Sequence, residues 1–259
     1  MAATVSDDGR DAGRYRAAQL GLTRLLVRDV RGLRRLIIPS RLQASVPDWL
    51  TAMNAVIAQY AQASSSLSAE FYDSQRDAAG VAGVFTAAVA DPPSQEQTDA
   101  SLRWATKDLW PRDPEDPKTT DAQRQLLDAR LVQAEKKAEQ VAQKLVADTG
   151  RATVLGAVQQ DRQATAWARA AALGACAFCK LLASRGAVYA RDTVDFKAHD
   201  GCHCGVIPVF RGQKFEPSKH AAEWSRLYQE YAAGHSGSQL ARFRRALAEH
   251  DSNPLPGTN

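Results

Sequence analysis

All four cysteines of this 259-residue chain lie between positions 176 and 204, as Cys176-Ala-Phe-Cys179 and Cys202-His203-Cys204, with His199 just ahead of the second pair. Thiols and an imidazole grouped in this way suit one tetrahedral ion. Zinc favours sulfur and imidazole nitrogen, and a C-x2-C turn presents two sulfurs from one tight loop. The returning H-x2-C-x-C segment supplies the other half, although its second pair is C-x-C rather than the usual C-x2-C. Cys176, Cys179, His199, Cys202 and Cys204 make five candidate ligands. A catalytic zinc keeps an open position, whereas five candidates can close the shell, so the expectation is a structural Zn2+. Two disulfides are the competing reading. Against them, Met1 to Arg16 is polar, with Asp7, Asp8 and Asp11 where a secretory signal needs apolar residues.

Other chemistry is sparse. The sequence has no G-x4-G-K-[ST] loop, no G-x-G-x-x-G and no H-E-x-x-H. Gly234-His-Ser-Gly-Ser238 lacks the final glycine of a nucleophile elbow and reads as a loop. His220, His235 and His250 are expected at the surface, and Glu115 and Asp116 fall in a proline-rich loop, where solvated charge is the plain explanation. These absences lead us to expect no enzyme and no small-molecule substrate.

The net charge of +4 is unevenly placed. Residues 1–46 hold nine arginines and four aspartates, a balance of +5, which leaves the other residues at −1. Arg24, Arg28, Arg31 and Arg35 share a stretch with apolar Leu22, Leu25, Leu26, Val30, Leu33 and Ile37 at helical spacing. One face of that helix seeks a core. The other is a solvated basic face or a docking surface for DNA or an acidic protein. Tyr15 is its lone aromatic, so base stacking has little to work with. No run of about 18 apolar residues exists, so no membrane span is expected.

The elements that must position the cysteines are mainly α. A basic helix is expected over about 15–38, ended by Pro39. A second starts at Pro47 and stops at Ser64-Ser65-Ser66; a third runs from Leu67 to Ala90 with Gly80 and Gly83 inside it; a fourth spans Ser94 to Trp110. Prolines at 111, 114 and 117 make 111–117 a loop. Thr120 and Gln123 form a capping-box signature for a long helix over about 120–148, whose seam is Leu127, Leu131, Ala134, Ala138, Val141 and Leu145. Gly150 then reads as a C-cap, with a further helix from Arg151 toward Gly174. Around the cysteines, Ala187-Val-Tyr189 and Val206-Ile-Pro-Val-Phe210 read as short strands. The expected organisation is a multi-helix domain over 1–170, a small zinc-stapled α+β unit over 171–212, and a polar, partly helical tail over 213–259 that frays from Asn253.

The order Trp167-Ala-Arg169, Cys176-Ala-Phe-Cys179, Gly186-Ala-Val-Tyr189 and His199-Asp-Gly-Cys202-His-Cys204 followed by Val206-Ile-Pro208 resembles the Mu F-like minor head proteins of tailed bacteriophages. The likeness covers about residues 165–210. It departs at His203, where arginine is common in that group. The resemblance implies a structural virion component in the phage head interior or at the portal vertex, assembled in the host cytoplasm, with the portal or major capsid protein as partner and packaged DNA nearby. It carries metal ligation to Cys176, Cys179, Cys202 and Cys204, with His199 competing with Cys204. Two alternatives remain. A His-metal nuclease finger would use His199 or His203 as general base, although both sit at the ligands themselves. A nucleic-acid-binding regulator would use the arginine helix and the finger.

Overall fold

The computed structural model describes residues 3–110, 115–193, 196–199 and 201–251. The positions 111–114 of the proline loop and the tail from Asn253 lie outside them. Within them the protein is mainly helical with a small strand-containing C-terminal region.

A short strand, β1 (Ala3–Val5), leads into α1 (Arg10–Leu33). The basic helix thus begins earlier than expected, with Asp11 in its first turn. It tightens to a 3-10 turn at Arg34–Leu36, and Ile38 is extended because the ring of Pro39 excludes the helical region for the residue before it. Leu26, Val30 and Ile37 are buried, while Leu25 stays on the surface.

The second and third expected helices are one, up to Ala79. α2 (Leu42–Ala79) takes Pro47 into its second turn and runs straight through the three serines. Serine breaks helices when its hydroxyl competes for backbone groups, but here the hydroxyls bond to carbonyls without interrupting the helix. Ser68 Oγ donates to the Ser64 carbonyl at 2.7 Å, Ser65 Oγ to the Ala90 carbonyl at 2.9 Å and Ser66 Oγ to the Gln62 carbonyl at 3.1 Å. Gly80 ends the helix in the left-handed region, φ +62°, so the expected helix to Ala90 stops there.

α3 (Gln95–Thr106) follows with Ser94 as N-cap. The capping box of Thr120 and Gln123 is present but opens only a short turn, α4 (Asp121–Arg124). After extended residues at Gln125 and Leu126 comes α5 (Leu127–Gln160), the central helix. Its seam residues Leu131, Ala134, Ala138, Val141 and Leu145 are buried against α1, α2 and α3. Gly150 lies within α5 and caps nothing. A Cβ there would stand 2.5 Å from Ser64 Oγ and 2.8 Å from Ser68 Oγ, so glycine is what lets α2 and α5 cross so closely. At the other end of α2, Arg76 pairs with Asp161 at 2.8 Å in a buried ion pair that also receives the Tyr72 hydroxyl.

The helix expected toward Gly174 gives way to a strand, β2 (Ala164–Ala170). Trp167, Ala168 and Ala170 are all buried, and a strand covered on both faces shows no alternation to distinguish it from a buried helix. After α6 (Ala177–Ala183), β3 (Tyr189–Ala190) and β4 (Gly205–Phe210) flank β2 in an antiparallel sheet of order β3-β2-β4. β5 (Gln213–Phe215) pairs in parallel with β1, Val5 opposite Phe215. The buried carboxylate of Asp7 accepts from Ser218 N at 2.7 Å and Ser218 Oγ at 2.9 Å, fixing both ends of the chain together.

The last segment is more ordered than a polar tail. α7 (Lys219–Tyr231) and α8 (Gln239–His250) start at serine caps, Ser218 and Ser238. Their Trp224, Leu227, Phe243 and Leu247 are buried in one apolar cluster with Cys179, Cys202 and Cys204. Each such side chain contributes about 1.5–3 kcal/mol by leaving water.

Candidate metal centre

Three elements converge on the cysteines. Cys176 is the N-cap residue of α6 and Cys179 lies in its first turn, so the C-x2-C is the start of a helix rather than a free-standing tight loop. The second half is a turn in which Cys202 N donates to the His199 carbonyl at 3.1 Å, with Gly201 at φ +73° taking the conformation that favours glycine. Cys204 then passes directly into β4.

The five expected donors come together as two overlapping groups that share Cys179. One holds Cys176, Cys179 and His199, the other Cys179, Cys202 and Cys204, with donor atoms in each group within 4.8 Å of one another. All four thiols are free of disulfides. On one tetrahedral zinc two sulfurs stand about 3.8 Å apart, and a sulfur and a nitrogen about 3.5 Å, from bond lengths near 2.3 and 2.0 Å. Cys179 Sγ is 3.5 Å from Cys202 Sγ and 3.6 Å from His199 Nε2, close to those edges; Cys176 Sγ to His199 Nε2 is tighter at 2.9 Å. Cys179, Cys202 and Cys204 are buried, and His199 is at the rim.

Without a cation the thiols cannot all ionise. Hydrogen bonding from Cys179 holds Cys176 down at about 5, helped by the imidazole of His199. The same donor, joined by Cys204 and the charge of Arg151, holds Cys202 low. Cys179 is pushed well up because its proton serves these neighbours. Cys204 receives a lowering bond from Cys179, but its own bond to Cys202 and its burial win, leaving it pushed up to about 12. A bound dication replaces such shared protons, so the donor set fits a metal ion.

Two arginines that sequence reasoning left without a role complete the surroundings. Arg151 of α5 is buried; its Nε donates to the Cys204 carbonyl at 2.9 Å and its Nη2 to the Cys202 carbonyl. Arg169 of β2 is only 2% exposed and lies over the ring of Phe196 at 3.6 Å. Its Nη2 donates to the Lys197 carbonyl at 2.8 Å, while Nε and Nη1 have no hydrogen-bond partner among the described residues. Its charge acts on Cys204 to favour the thiolate. A thiolate-rich metal centre is anionic, and a buried guanidinium with no carboxylate partner among the described residues is the counterpart such a centre calls for. The signal for Arg169 was visible as a charge inside an apolar run, Trp167-Ala-Arg169-Ala. Arg151 carried none, since the cysteine carbonyls it holds lie about 50 residues away.

The four arginines of the expected basic face differ in their partners. Arg31 forks onto Glu139 at 2.7 and 3.0 Å, and Arg28 pairs with its neighbour Asp29 at 2.9 Å. Arg24 lines a cleft with these two, and Arg35 is exposed at the 3-10 turn. His203 points outward between two buried cysteines, as a surface residue would, and His235 and His250 are exposed, whereas His220 is half-buried beside Trp224. No helix among the described residues is long and apolar enough to cross a membrane.

The fold and the site together define a helical protein whose small C-terminal sheet carries a cysteine and histidine centre able to hold a metal ion. The chain belongs to the VG15 protein family, a family of phage gene products, whose model matches residues 6–231. That span takes in α1 to α7 and the whole cysteine cluster. No curated protein and no solved structure matches the chain.

Proposed function

We propose that the chain is a non-enzymatic minor head protein of a tailed phage, similar in role to the Mu F-like group. Its helical body docks on the portal or the inner capsid during head assembly, first in the host cytoplasm and then within the virion. A structural Zn2+ staples its C-terminal unit. The observation that carries this reading is the gathering of C-x2-C and H-x2-C-x-C into one cluster in a member of a phage family.

Zinc, when bound, supplies a cross-link between α6 and the loop entering β4. Cys176, Cys179 and Cys202 hold it, with His199 and Cys204 competing for the fourth position. The rest is done by the chain itself. Arg151 fixes the backbone of Cys202 and Cys204, Arg169 supplies positive charge, and Trp224 and Phe243 pack in the same apolar cluster as Cys179, Cys202 and Cys204. In this role the centre orders a surface and performs no reaction.

Mass spectrometry of purified virions of the source phage tests the proposal. The chain is expected among head components and in complexes with portal or major capsid protein from assembly intermediates. Its absence from both would overturn the reading.

A further inference from the structure

We infer that the trench between α1, the loop around His203 and α8 is a binding site for the phosphodiester backbone of a nucleic acid. Three adjoining clefts share Leu20 and His203 as a common wall. One, of about 550 Å³, follows α1 past Arg24, Arg28 and Arg31. A second, of about 510 Å³, passes the outer side of the cysteine cluster to Arg244. A smaller one between α1 and α5 reaches Arg16. Among the described residues no carboxylate lines any of the three, although Asp29 and Glu139 pair with Arg28 and Arg31. In a chain with nearly as many acids as bases, that segregation marks a polyanion site.

The cations are available. Arg16, Arg24 and Arg244 make no hydrogen bond or ion pair among the described residues, and Arg24 and Arg244 are exposed. Arg28 is held only by an exposed pair with Asp29, which phosphate can displace. Arg31 stays with Glu139 and marks the end of the track. Arg24 and Arg28 are about 6 Å apart along the helix axis, on the scale of successive phosphates. Guanidinium forks match phosphate oxygens in pairs. The exposed Leu20 side chain and the His203 ring on the shared wall offer surface for a sugar or base, which an acidic peptide would not need. This site does not depend on the head-protein reading, and its failure would leave that reading intact.

Fluorescence anisotropy of the full chain with a labelled single-stranded oligonucleotide and with its duplex, over a salt series, tests the inference. Binding at low salt to at least one form is expected, with the tighter form naming the source of the backbone. Arg24→Ala and Arg244→Ala are each expected to weaken binding and to flatten the slope of log K against log salt by about 0.7–0.9. Arg226→Ala, which removes an arginine bound to Glu223 and Glu230, is expected to change neither. Melting curves of the variants check that folding is retained. No binding at low salt, unchanged slopes for Arg24→Ala and Arg244→Ala, or displacement of DNA by polyglutamate at equal charge would overturn it.

Discussion

Arg151 Nε lies 2.9 Å from the carbonyl oxygen of Cys204, so the central helix grips the backbone of the cysteine loop directly. A second bond from the same guanidinium reaches the Cys202 carbonyl, and Asp148, one turn back, pairs with Nη1. The backbone of the two cysteines is thereby fixed by one side chain. Arg151→Met removes this support and leaves two buried carbonyls unpaired. Metal affinity is expected to fall about 10–100-fold, measured by competition with a chromophoric chelator. Arg151→Lys is expected to recover little, because one ammonium lacks the planar fork that serves both carbonyls.

Removing the shared ligand tests the centre itself. Cys179 belongs to both donor groups and to the apolar cluster that holds Trp224 and Phe243. Cys179→Ser, or chelation of the native chain, is expected to abolish metal binding and to loosen α7 and α8 from α6. Trp224 emission should shift to the red while far-ultraviolet circular dichroism keeps most of its helical signal, since α1, α2 and α5 have their own core. Simultaneous loss of the entire helical signal would show that the centre supports the whole fold.

The cysteine and histidine cluster was legible in the sequence because cysteine is rare and its spacing carries the chemistry: the five donors expected from residues 176–204 are those the fold brings together. The long helices were legible where apolar residues recur, as in the seam from Leu131 to Leu145. Punctuation misled wherever packing overruled local preference. Ser64 to Ser66 and Gly150 read as breaks, yet the helices run through them, and Ser64 and Gly150 are small residues at the close crossing of α2 and α5. Gly80, which reads as an interior glycine, is the true cap. β2 was hidden because burial on both faces erases its period, and the pairing of β1 with β5 because its partners are some 210 residues apart.

Gly150 and Gly156 offer a matched pair within α5. Alanine at Gly150 would meet Ser64 Oγ at 2.5 Å and Ser68 Oγ at 2.8 Å inside a closed crossing, whereas at Gly156 nothing beyond the adjoining turns of α5 itself lies within 4 Å. Gly150→Ala is expected to destabilise by about 1–3 kcal/mol despite its better helix propensity. Gly156→Ala is expected to stabilise by about 0.5–1 kcal/mol, the ordinary gain for a helix interior. Urea unfolding of the two variants checks the contrast, and equal effects of the same sign would refute the close-crossing account.

The carboxylate of Asp29 gives the acid side of the stability curve a specific contributor. The Tyr60 hydroxyl donates to Asp29 Oδ2 at 2.6 Å and Arg28 Nε donates to Oδ1 at 2.9 Å. The Tyr60 bond first, and Arg28 second, hold this carboxyl below its ordinary value of 3.8. A carboxyl whose value is lower in the folded state than in the unfolded chain stabilises the fold above the unfolded value. That contribution is lost as pH falls through the folded value. Tyr60→Phe removes the larger cause while keeping the ring in the core. The variant is expected to be less stable than the native chain at neutral pH, with the difference shrinking as the solution is acidified below 3.8. Urea midpoints followed from neutral pH into acid measure it. A difference that stays constant across that window would mean that Tyr60 acts through packing alone and that its bond does not favour the charged form of Asp29.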